Sequence, residues 1–214
     1  MNQYVKMGLE MSNKQVIIMP FVQTIGNPAC KANIENIASK MGVPCEIYEL
    51  PKDKDDAYWE LFRDVIWDDW YDTVLVEHDV MPTYNQIYSL FQCTMSFCII
   101  PTWIQNNWYP GFGCVKFGAK LIQEQPSLIK DIDIKNWRTL DTIINRRLKA
   151  LGYEYHQHLP PAQHLHDYPN KEPKVFDPEL VHGLTPGNED VIKVDYSRME
   201  SNRPRRIKEI IYEY

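Results

Sequence analysis

An α/β fold with a mostly parallel central sheet and helices on both faces is predicted by three observations. The first hundred residues alternate strand-like and helix-like stretches, giving a βαβαβαβ order. The apolar run Thr73-Val74-Leu75-Val76 is continuous rather than alternating, as in a strand buried on both faces. Helix start and stop signals, such as Asn27-Pro28 and Gly42, fall between the apolar runs.

Each element has its own reason. Residues 14–22 (KQVIIMPFV) predict the first strand. Asn27 caps the following helix, Pro28 takes its first position, Ile34, Ile37, Ala38 and Met41 form its stripe, and Gly42 ends it. Residues 45–50 (CEIYEL) alternate like a second strand, stopped by Pro51. A second helix is predicted from Asp56 to Trp70, with Leu61, Phe62, Val65 and Ile66 on one face. The third strand spans residues 73–80. Thr83 caps a third helix carrying Ile87, Leu90 and Phe91, and residues 96–103 (SFCIIPTW) predict a fourth strand.

The second half is less regular. Residues 111–117 (GFGCVKF) suggest a short strand, and Leu121 and Ile122 a short helix. The segment from Trp137 to Gly152 has the clearest helical period, with Thr139 as N-cap and Leu140, Ile143, Ile144, Leu148 and Leu151 as its stripe. Residues 153–159 predict a strand. Beyond Pro160 the chain is rich in Pro, Asn, Asp and His, and reads as a segment wrapping the surface up to Val191, with a last element over residues 205–214. The expected organisation is a single catalytic domain over residues 1–168 and a C-terminal extension over 169–214.

Composition narrows the functional classes. A net charge of −6 argues against specific nucleic-acid binding, with Arg203-Pro204-Arg205-Arg206 as the local exception. No run reaches transmembrane length, and the N-terminus has no signal-peptide pattern. Five scattered cysteines without a C-x-x-C pair favour reduced thiols over a disulfide framework or a zinc knuckle, which predicts a cytoplasmic setting. Oligomeric state is left open, a homodimer included.

The candidate chemistry lies at Glu77-His78-Asp79, which closes the buried run 73–76. In open α/β sheets ligands bind at the carboxyl ends of the strands. Carboxylates there suit a hard divalent cation, and the cation suits a diphosphate. On an extended strand Glu77 and Asp79 would share a side. A strand reaching solvent also ends in polar residues without any such role. Asp141 falls in the first turn of the 137–152 helix; there it either stabilises the helix dipole or serves as a general base toward a hydroxyl. Five of the six histidines lie between His156 and His182, as His156-x-His158, His164-x-His166 and His182. His164 and His166 are the candidates to lie near a metal; His156 and His158 read as structural. No phosphate-loop, dinucleotide or serine/cysteine nucleophile motif is present.

In this order the parts resemble a glycosyltransferase of the GT-A (Rossmann-like) fold. Glu77-His78-Asp79 stands in the place of its metal-holding acidic motif, and Leu140-Asp141 within WRTLDTIINRRLKALGY in the place of its catalytic-base helix. The chain also resembles small glycosyltransferase-like proteins of phages and archaeal viruses. The shared order is Cys98 to Pro101, Gly113 to Phe117, Trp137 to Asp141 and His164 to His166. It departs from the family in having Glu first and His second in the acidic motif, and Leu140 where many members have Glu.

The resemblance implies a nucleotide-binding half (14–103) and an acceptor-side half (104–168). It implies that Pro20, Phe21, Val22 and Glu77 hold a UDP- or GDP-sugar, that Asp79 with His164 or His166 binds Mn²⁺ or Mg²⁺, and that Asp141 deprotonates a carbohydrate or protein hydroxyl, with inversion. Trp103 or Trp108 would stack on the acceptor, and a viral source would place the protein in the host cytoplasm. A zinc-dependent hydrolase, a nucleotidyltransferase and a non-catalytic viral protein on the same fold are the alternative readings.

Overall fold

A computed structural model describes residues 14–104, 107–109, 111–137 and 139–165 of the 214-residue chain. His166, the extension over 169–214 and its basic cluster lie outside the described residues.

The first unit is built as the sequence suggests. Strand β1 (Gln15–Phe21) is followed by helix α1 (Pro28–Met41) and strand β2 (Cys45–Glu49). Asn27 caps α1, its side-chain oxygen accepting from the Ala29 N–H at 2.9 Å, and Gly42 closes it at φ 67°, a left-handed conformation that suits glycine. Helix α2 (Ala57–Leu61) continues directly into a π-helical turn (Phe62–Ile66). The single regular helix expected over 56–70 is therefore shorter and changes its winding midway. Strand β3 (Asp72–Val76) then runs through the centre.

Next come β4 (Val80–Met81), α3 (Tyr84–Gln92), β5 (Phe97–Ile99), β6 (Thr102–Ile104), β7 (Asn107–Tyr109) and β8 (Cys114–Phe117). Thr83 caps α3 through a reciprocal capping box with Gln86. Helices α4 (Ala119–Glu124) and α5 (Leu140–Ala150) precede the short strands β9 (His156–Gln157) and β10 (Ala162–His164). The fourth strand expected over 96–103 is split at Ile100-Pro101, and its second part joins another sheet. Thr139 occupies the N-cap position of α5 without a side-chain cap; its hydroxyl donates to the Asn136 carbonyl.

The main sheet has six strands in the order β2-β1-β3-β8-β5-β9, and a second sheet has the order β4-β10-β6-β7. Strands β2, β1 and β3 are parallel, β8 is antiparallel to both β3 and β5, and β9 is parallel to β5. The sheet is thus mixed: β8 slots in reverse between β3 and β5, where a mostly parallel sheet was expected. The reason is positional. The 111–117 segment returns from the β6-β7 hairpin, so it re-enters the sheet from the opposite end.

Helices cover both faces. On one, α2, α4 and α5 pack on Val16, Ile18, Leu75 and Val115 around an aromatic cluster of Phe62, Phe97, Phe112 and Phe117, whose ring centroids are 5.3–6.4 Å apart. On the other, α1 and α3 cover Ile17, Met19, Val74, Val76 and Cys98. Among the described residues no helix is long and apolar enough to cross a membrane.

Candidate functional site

The carboxyl end of β3 is shaped by a tight turn. The Glu77 N–H donates to the Gly113 carbonyl at 2.9 Å, and the Glu77 carbonyl accepts from Val80 N–H at 3.0 Å. Glu77 and Asp79 therefore sit in a turn rather than on an extended strand, which corrects the expected geometry. They are still neighbours: the Asp79 charge raises the pKa of Glu77.

Three other elements converge on this turn. Tyr58 of α2 donates its hydroxyl to Glu77 Oε1 at 3.2 Å. Asp141 lies in the first turn of α5, where its Oδ1 accepts from the Thr142 N–H at 2.7 Å. Leu140, Ile144 and Leu148 anchor α5 in the core that also contains Tyr58. The charge of Asp141 raises the pKa values of both Glu77 and Tyr58. Strand β10 pairs antiparallel with β4, placing His164 opposite Val80, and the Asp79 carbonyl accepts from the Leu165 N–H at 2.6 Å. That pairing sets His164 Nε2 3.4 Å from Asp79 Oδ2.

Burial pushes the Glu77 carboxyl up, the charges of Asp79 and Asp141 push it further, to about 8, and the Tyr58 hydrogen bond works in the other direction. The side-chain partners of Glu77 and Asp79 among the described residues are Tyr58 and His164, neither of them a lysine or arginine. Asp79 Oδ2 and His164 Nε2 are an oxygen and a nitrogen of the kinds that bind divalent cations.

The same turn meets the end of β1. Burial lowers the His78 pKa, the Asp79 charge and a hydrogen bond to the Pro20 carbonyl oppose that shift, and its ring lies edge-on to Phe21 at 6.4 Å. Pro20 and Phe21 are buried beside His78, whereas Val22 borders a cleft of about 310 Å³ at the carboxyl ends of β1 and β2. Gln23, Thr24, Glu49, Leu50 and Lys52 also line it, and Gln23 Nε2 donates to Glu49 Oε2 at 2.7 Å.

The structure sets His164 against Asp79 and Tyr58 against Glu77, and the charge of Asp141 acts on both Glu77 and Tyr58. It sets Pro20 and Phe21 against the acidic turn through His78, and Val22 on the adjoining cleft. Tyr58 was not singled out from the sequence. Its period marks it as a core residue of a helix, and nothing local to it signals the carboxylate 19 positions along the chain. Trp103 and Trp108 pair in the β6-β7 hairpin.

No protein-family model matches the sequence, and no curated protein matches it. Among solved structures, the chain is similar to a glycosyltransferase involved in the glycosylation of the major capsid of PBCV-1, with 13% identity, a TM-score of 0.45, and coverage of 68% of this chain and 82% of that one.

Proposed function

We propose that this chain is a glycosyltransferase that takes a nucleotide-sugar donor, a UDP- or GDP-sugar, with Mn²⁺ or Mg²⁺. The observation that supports the proposal is the 3.4 Å approach of His164 to Asp79 at the carboxyl end of β3, next to Glu77, on which the charge of Asp141 also acts.

Asp79 and His164 would hold the cation, and the mixed oxygen and nitrogen donors suit Mn²⁺ better than Mg²⁺. A bound cation supplies charge neutralisation to a departing diphosphate. Val22 and its neighbours in the cleft receive the nucleoside. Glu77, once it has lost its proton, accepts a hydrogen bond from a ribose hydroxyl. Asp141 accepts the proton of the acceptor hydroxyl as its oxygen bonds to the anomeric carbon and the bond from that carbon to the diphosphate breaks, inverting the centre. The acceptor is a carbohydrate or a protein hydroxyl.

Thermal melting of the full chain with UDP- and GDP-sugars, in Mn²⁺ or in EDTA, tests the reading. A ligand at about 100 times its Kd adds roughly 2.7 kcal/mol. Stabilisation that requires both a nucleotide sugar and Mn²⁺ is expected. Melting curves that no sugar nucleotide moves would reject the proposal.

A further inference from the structure

A second group of ligand-type side chains lies away from the acidic turn, on the face of the main sheet covered by α3. Cys93 is the C-cap residue of α3, Cys98 lies in β5, and His156 and His158 belong to β9 and the residue just after it. In the register of β5 and β9, His156 stands opposite Cys98. Two residues along the extended chain, His158 returns to the same face. Their four ligand atoms all lie within 4.8 Å of one another. Cys93 Sγ is 3.2 Å from His156 Nδ1, which is 3.2 Å from His158 Nε2. Tetrahedral ligands of zinc, at Zn–S of about 2.3 Å and Zn–N of about 2.0–2.1 Å, are themselves separated by roughly 3.3–3.8 Å.

The surroundings orient these atoms for a cation. Ser89 Oγ contacts both the Gln86 carbonyl, at 2.8 Å, and His158 Nδ1, at 3.0 Å; with the hydroxyl proton on the carbonyl, Nδ1–H donates to Oγ. In that tautomer Nε2 carries the lone pair, and Nε2 is the atom turned toward His156. Lys116, 3% exposed, lies opposite Cys98 and donates to the Cys93 carbonyl at 2.6 Å.

We infer that Cys93, Cys98, His156 and His158 form a structural zinc site that ties the C-terminus of α3 and strand β5 to the edge strand β9. Four protein ligands complete the tetrahedron and leave no position for water or substrate, which marks a structural rather than a catalytic site. On binding, both thiols lose their protons to solvent. The edge strand held in this way is two residues long and leads within five residues to β10, which carries His164.

Elemental analysis of the full chain, purified under reducing conditions without added metal or chelator, is the test. One zinc per chain is expected, and replacement by Co²⁺ should give intense tetrahedral visible bands with a thiolate charge-transfer band. The paired variant Cys93→Ser/Cys98→Ser should lose the zinc and the charge-transfer band, whereas Asp79→Ala should keep both. A folded wild-type chain with substoichiometric zinc that takes up Co²⁺ without tetrahedral bands would overturn the inference. Iron in place of zinc, a Cys93–Cys98 disulfide in the purified protein, or loss of the zinc from Asp79→Ala would do so equally. Because the wild-type chain is measured first, the test does not depend on the paired variant folding.

Discussion

Glu77 concentrates the physics of the acidic turn. Its pKa is raised from an ordinary 4.5 to about 8, so the folded protein binds a proton there that the unfolded chain releases. Stability therefore falls as pH rises from about 4.5 toward about 8. A divalent cation beside the carboxylates should flatten that fall. Glu77→Gln should remove it, raising stability by about 1–2 kcal/mol at pH 8 after allowance for partial solvent screening; urea titrations at pH 5 and pH 8, with and without Mn²⁺, measure this. Asp79→Ala should abolish the Mn²⁺-dependent part of nucleotide-sugar stabilisation while leaving the metal-free melt within a few degrees of wild type. Asp141→Asn should retain donor-induced stabilisation but lower transfer about 10²- to 10⁴-fold, as expected for loss of a general base; a radiolabelled transfer assay separates the two. The positions of Glu77 and Asp79 just past β3 and of Asp141 in the first turn of α5 were legible in the sequence, because acids at a strand end and in a helix's first turn are local patterns. Tyr58 and the pairing of His164 with Asp79 were not, because both depend on contacts between distant segments.

At the level of elements, the caps were readable and the breaks were not. Asn27 and Thr83 start their helices through short-range hydrogen bonds, so their residue types suffice to place them. The change of winding at Phe62 and the splitting of the 96–103 run depend on what those segments pack against. Gly113 shows how tightly the joined elements fit. A Cβ added there would lie 2.7 Å from Thr102 Cγ2 and 3.0 Å from Val80 Cγ2, and the Gly113 carbonyl holds the Glu77 N–H. Gly113→Ala should cost about 1–3 kcal/mol by overpacking and should weaken nucleotide-sugar stabilisation beyond that cost, because β4 and the acidic turn move together. Denaturant midpoints and ligand-dependent melting curves measure the two effects.

For the whole molecule, the α/β class followed from alternation of elements, and helices do cover both sheet faces. The reversed strand β8 was hidden because strand direction depends on where a chain re-enters a sheet, and side-chain alternation is the same in either direction. The core is centred on that strand: Phe62 packs on Phe112 and Phe117 at 5.9 Å and 5.7 Å. Phe62→Ala should cost about 3–5 kcal/mol, read as a lower urea midpoint.

Asp79 and His164 belong to segments 85 positions apart, joined through the pairing of β4 with β10. A growing polypeptide has made its acidic turn long before its imidazole arrives. The ion proposed for this pair would have its two donors together only once β10 has paired with β4, so it would act as a late checkpoint that rewards finished molecules and passes over incomplete ones.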